Sequence, residues 1–221
     1  MTKVMAQFGY LTLALSYFRR IFPPPTLDEE VVMAVLDLPS VHHLRFRPEK
    51  AFAALRQMLH WAQQDGRGPV DLRTLLTACY FADKQHLNEH WRPVFGATYR
   101  AMPSGPVPLE IYEMAKGEPL WLGEIGRSDY PWRLEGVRVI ATGVEPLDTR
   151  SLSPSDRKAL QDGFTQARAL TFDERAAVSH DLAWHRAKHG CMDYADMVDE
   201  SNPNREAILE TLYDDGHLWR V

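Results

Sequence analysis

"VDLRTLLTACYFADKQHLNEH", Val70 to His90, decides how the rest of the chain is read. Asp71 suits an N-cap, so a helix is expected to start there. At about 100° per residue, Leu72, Leu76, Cys79, Asp83, His86 and His90 fall within one sector of under roughly 90°. An acid and two imidazoles thereby continue an apolar stripe. If the stripe is buried, Asp83 and His86 need partners, because an unsatisfied buried polar group costs about 1–3 kcal/mol. The expected partners are backbone groups of the turn that follows.

That turn lies in "YRAMPSGPVP", Tyr99 to Pro108. "VFGATYRAM" alternates enough for a short strand. Pro103 and Gly105 suit a tight turn, Pro108 suits a helix start, and Gly117 with Pro119 stops that helix. The stretch therefore reads as strand, stiff turn and helix start. Its restricted backbone lowers the ordering cost when a partner docks there.

Upstream, Pro48 fits a first helical position, and Ala51, Phe52, Leu55, Met58, Leu59 and Ala62 recur at helical spacing until Gly66 and Gly68. Downstream, "WRLEGVRVIATGVEPL" reads as one or two strands around Gly136. Ser153 and Pro154 open a further helix, and "TFDERAAVSHDLAWHRAKHG" holds two short ones, with Ser179 as an N-cap. The closing stretch, "YADMVDESNPNREAILETLYDDG", adds another. The fold class expected is α+β, mainly helical with a small antiparallel sheet. "FPPP" places a boundary near residue 40, giving an N-terminal extension over 1–40, with a possible amphipathic helix, and a main domain over 41–221.

The chain has 221 residues and a net charge of −5, so it can bury a core without staples and has no global basic field for nucleic acid. Nucleic acid is not an expected partner. Two cysteines, Cys79 and Cys191, form no C-x-x-C pair, which fits reduced thiols in the cytoplasm. The apolar run from Phe8 to Phe22 meets Arg19 and Arg20 too soon to span a bilayer, so no membrane association is expected.

"HLNEH", His86 to His90, matches H-x-x-E-H, in which two histidines one helical turn apart bind zinc and the glutamate activates water. A metal-dependent hydrolase on His86, Glu89 and His90 is thus the alternative reading, although no downstream third ligand stands out. Ser179, His180 and Asp181 are sequence neighbours and point apart on a helix turn, which removes a triad. No phosphate-binding glycine loop occurs. The expectation is no catalytic residues, no metal and no cofactor. The run from Asp193 to Asp215 sets eight carboxylates against Arg205, either a solvated face or a surface complementary to a basic partner. Tyr99, Tyr112 and Trp91 are interface anchors or core residues.

The order "FADKQHLNEHWRPVFGATYRAMPSGPVPLEIYEM", "LSPSDRKAL", "AVSHDLAWHRAK", "MDYADMV" resembles the Panacea domain family, the group of SocA-like antitoxins and phage-associated proteins, over roughly residues 44 to 200. The matching positions are Phe81, Ala82, Asp83, His86 and Leu87, then Gly96, Tyr99, Met102, Gly105, Pro106, Val107, Pro108 and Tyr112, then Ser179, His180 and Trp184. His90 is not part of the family pattern. The resemblance implies an antitoxin of a toxin-antitoxin system that neutralises a co-encoded protein toxin by protein contact, or delivers it to a cellular protease as an adaptor. Asp83, His86, Tyr99, Met102, Gly105, Pro106, Pro108 and Tyr112 are then the residues expected to bind the partner or scaffold its site. The oligomeric state, the toxin's identity and the role of residues 1–40 are left open.

Overall fold

The computed structural model describes residues 44–142 and 147–218. The expected extension over 1–40 lies outside them. Among the described residues nine helices and five short strands form a mainly helical α+β fold, as the periodicities predict.

Helix α1 (Pro48–Gln64) starts on Pro48 and buries Phe52, Leu55, Met58 and Leu59. Strand β1 (Val70–Asp71) leads directly into α2 (Leu72–His90). Asp71 caps α2 by accepting from the Thr74 amide, and the Leu72 amide donates to the Val137 carbonyl, so two amides at the helix start are satisfied from outside the helix. Helix α2 is buried on nearly every side from Thr74 to Asp83, so the expected one-sided stripe is part of a fully enclosed central helix.

Strands β2 (Tyr99–Met102) and β3 (Gly105–Pro108) pair as a hairpin, followed by α3 (Leu109–Lys116) and α4 (Pro119–Glu124). Gly105 to Pro108 is thus a strand rather than a run into a helix, and Pro108 is the N-cap, one residue before the expected start. The register pairs Tyr99 with Pro108 and Ala101 with Pro106. In a hairpin closed by Met102 and Gly105 these are the non-hydrogen-bonded pairs, so neither proline removes a ladder bond between the two strands. The outer edge of β2 is covered too, because the Ala101 amide donates to the Gly190 carbonyl and the Met192 amide donates to that of Tyr99.

A second hairpin, β4 (Trp132–Glu135) and β5 (Arg138–Ala141), turns at Gly136 and joins β1 in a three-stranded antiparallel sheet of order β1-β5-β4. Helix α5 (Pro154–Ala169) opens with a reciprocal capping box between Ser153 and Asp156. It packs along α2 at close range. A Cβ on Gly163 would stand 2.7 Å from the Ala78 carbonyl, so the small residues at this contact set the helix separation. Helices α6 (Phe172–Ser179), α7 (Leu182–Arg186), α8 (Tyr194–Met197) and α9 (Arg205–Leu218) complete the fold. Ser179 ends α6 and caps nothing; Asp181 is the N-cap of α7, accepting from the Trp184 amide at 3.2 Å.

No helix among the described residues is long and apolar enough to cross a membrane.

Candidate functional site

Asp83 and His86 are fully buried, and both find partners. Asp83 Oδ1 accepts from the amides of Val94 at 2.8 Å and Phe95 at 2.9 Å. Its Oδ2 faces the hydroxyls of Tyr99 at 3.1 Å and Tyr194 at 3.2 Å. The braced segment is therefore the connector between α2 and β2, not the proline hairpin itself as expected. The hairpin is reached only through Tyr99. Burial is the largest influence on the Asp83 carboxyl and, against those donors, pushes its pKa up to about 7.

The His86 ring lies between that connector and the start of α5. Nδ1 is 2.7 Å from the Arg92 carbonyl, which can only accept, so Nδ1 carries the proton. Nε2 is then free to accept from Ser155 Oγ at 3.0 Å. Burial holds the His86 pKa below its ordinary value, which favours this neutral form. Next to it, Asp156 is also fully buried. Its Oδ2 takes Lys50 Nζ at 2.6 Å and the Ser153 amide at 2.9 Å. Its Oδ1 has Arg92 Nη1 at 3.0 Å and His86 Nε2 at 3.3 Å, neither aligned for a hydrogen bond. Burial opposes the Asp156 charge, but Lys50 and the Ser153 cap outweigh it and keep the carboxyl below its usual range. One network thus ties α1, α2, the connector and α5 together.

A zinc ion on His86 Nε2 would have to displace Ser155, while Glu89 and His90 stand in solvent with side chains 51% and 46% exposed. Among the described residues no three His, Cys, Asp or Glu side chains are placed to hold a metal ion.

The hairpin corner is held from the other side by the α6–α7 junction. Gly105, at φ +110°, leaves no room for a Cβ, which would stand 2.7 Å from Ser179 Oγ. Trp184 Nε1 donates to the Met102 carbonyl at 2.9 Å, and His180 stacks on the Trp184 indole with ring centroids 3.8 Å apart. The intervening Asp181 turns the opposite way and accepts from Tyr80 and Lys84. Ser179, His180 and Asp181 accordingly do three unrelated jobs.

Six of the eight candidate residues, Asp83, His86, Tyr99, Gly105, Pro106 and Pro108, are buried, whereas Met102 and Tyr112 are half-buried. Trp91 lies outside the core, 39% exposed at φ +63°, capping the C-terminus of α2. Sequence reasoning missed Tyr194, Ser155 and Asp156, which complete the two polar clusters. The serine and aspartate could have been found from the S-P-S-D start of α5, but only as caps.

Apart from Lys50 and Tyr194, both clusters and the α6–α7 junction draw on one stretch of chain. Residues 78–185 match the family described as Antitoxin SocA-like, Panacea domain. No curated protein matches the chain, and no solved structure does. Over residues 78–185, which carry the braced connector, the proline hairpin and the tryptophan that holds it, the chain is similar to the Panacea domain of SocA-like antitoxins.

Proposed function

We propose that this chain is the antitoxin of a toxin-antitoxin system and neutralises a co-encoded protein toxin in the cytoplasm by direct protein contact. The family match over residues 78–185 carries this reading. The geometry supports it physically. The two histidine- and carboxylate-bearing clusters spend their polar atoms on backbone amides, carbonyls and neighbouring caps, which is the work of architecture. The clusters brace the connector, while Trp184 and Ser179 hold the hairpin corner, Met102 to Gly105, in place before any partner arrives, so little conformational entropy is lost on docking.

Co-expression with the product of the adjacent gene tests the proposal. The neighbour alone should arrest growth, growth should return when this chain is present, and the two should co-purify. A neighbour that is harmless alone and does not co-purify overturns it. Direct masking leaves the toxin abundant in a stable complex. The adaptor route instead shortens the toxin's lifetime only in cells that contain the protease.

A further inference from the structure

A groove of about 840 Å³ is lined by α2, Gln166 of α5, the end of α6, Asp181 and residues 199–204. Its volume lies within the ~300–1,000 Å³ usual for ligand pockets, enough for several side chains. Phe81 and Val178 give it an apolar wall, with Val178 47% exposed. The charged groups are Lys84, Glu89, Asp181 and Asp199, three carboxylates from three separate segments against one ammonium. Lys84 Nζ sits 2.8 Å from Asp181 and 3.2 Å from Asp199, so one cation is shared by two anions. Glu89 accepts from Gln85 Nε2 at 3.0 Å, with His90 Nε2 at 3.9 Å and the Lys158 ammonium of α5 as basic neighbours, the latter already paired with Asp162. The Asp199 and Glu89 side chains stay 54% and 51% exposed at the rim.

We infer that this groove seats a basic segment of the partner, with an apolar side chain against Phe81 and Val178 and arginine or lysine side chains on Glu89 and Asp199. The inference rests on the protein-binding function proposed above and gives that partner its chemistry. A second copy of this chain fits poorly, because its net charge of −5 has the same sign as the groove. The acidic run after Asp193 contributes through Asp199 alone at this place. Asp196 and Glu200 are drawn to Arg186 instead. Residues 199–204 also lie beyond the family match, so one side of the groove is set by sequence outside the shared domain.

Two measurements on the full chain test this. In the first, fluorescence anisotropy follows a short labelled peptide of alternating arginine and leucine, with a glutamate-leucine peptide as comparison. Wild-type protein should bind the basic peptide, and Glu89→Lys/Asp199→Lys should bind it about tenfold or more weakly with an unchanged melting temperature. Glu124→Lys/Asp129→Lys, exposed carboxylates outside the groove, should bind like wild type. Equal loss in both variants, no loss in either, or preference for the acidic peptide overturns the inference. The second is hydrogen exchange on the complex with the co-encoded protein, where protection is expected at 81–89, 178–181 and 199–204. A complex that protects other segments sinks the groove but leaves the antitoxin reading standing. A neighbour that does not bind sinks that reading, while the peptide titration still decides the groove. Self-association that the groove variant abolishes assigns the site to a second copy and likewise overturns the inference.

Discussion

Replacing Asp83 by asparagine and by alanine separates two explanations of the central brace. Each tyrosine hydroxyl beside Asp83 has one proton and two acceptors: Tyr99 faces Asp83 Oδ2 at 3.1 Å and the Cys79 carbonyl at 3.2 Å, and Tyr194 faces Oδ2 at 3.2 Å and the Ala97 carbonyl at 2.8 Å. With a protonated carboxyl, the acid can donate to one hydroxyl while both hydroxyls turn to the carbonyls. An asparagine amide reproduces that pattern, its oxygen on Val94 and Phe95 and its nitrogen toward the tyrosines. Near pH 4, before ionisation of the unfolded carboxyl weighs against wild type, Asp83→Asn should therefore cost about 1–2 kcal/mol, little more than one ordinary hydrogen bond. Asp83→Ala leaves two buried amides without an acceptor, at about 1–3 kcal/mol each, and should cost about 2–6 kcal/mol. The pH dependence is a second check. The folded carboxyl keeps its proton to about pH 7, whereas the unfolded one releases it near 3.8, so the folded state binds the extra proton in between. The stability that Asp83 contributes is complete below the lower value and is lost as pH rises through the upper one. Urea unfolding followed by tryptophan fluorescence should thus show wild type losing ground to Asp83→Asn by about 1 kcal/mol per pH unit over this window, then levelling off. His86 and the half-buried Glu110 titrate in both proteins and drop out of the difference. A difference that is flat with pH, or an asparagine variant as unstable as the alanine variant, would refute the neutral-acid account.

Gly105→Ala meets both a left-handed backbone and the Ser179 hydroxyl, so it should lower stability by about 1–3 kcal/mol and weaken toxin neutralisation; thermal melts and growth rescue check it, and two unchanged readings would contradict the corner's role. Trp184→Phe deletes the donor to the Met102 carbonyl and should cost about 1 kcal/mol, with faster hydrogen exchange confined to residues 99–108. The folded His86 pKa is depressed, so its contribution is present above the ordinary value of 6.5 and lost as pH falls through the folded value; wild type should lose stability relative to His86→Gln on acidification, opposite in sign to the Asp83 effect, and a rise would reverse the neutral-imidazole assignment.

How much of this the sequence disclosed depends on the range of the interaction. Asp71, Ser153, Pro48 and Gly117 were readable because a cap or a first-turn proline is chemistry within four residues of chain. Ser179 misled for the same reason: a serine just before a short helix carries the cap signature, but the aspartate two places on has the geometry. Strand β3 was hidden because its prolines read as punctuation, and only the pairing register reveals that they occupy positions where the hairpin asks for no amide. The destinations of Asp83 and His86 were out of reach altogether. That the two groups would be buried followed from their place on the stripe. Which groups would meet them depended on Ser155, 69 residues from His86, and Tyr194, 111 residues from Asp83, and no local pattern encodes such distances.

That division bears on recognition. A buried residue can change a partner's affinity only by changing the shape or the stability of the surface above it, whereas an exposed one can change affinity alone. Asp83, His86, Tyr99, Gly105, Pro106 and Pro108 belong to the first kind, so substitutions there should move melting temperature and neutralisation together. Glu89, Val178 and Asp199 belong to the second, and substitutions there should move neutralisation while melting stays put. Plotting the two readings against each other for both sets distinguishes scaffold from contact surface without a structure of the complex. If the buried set fell on the line of pure affinity loss, the hairpin corner would have to open on binding, and a fixed platform would be the wrong description of it.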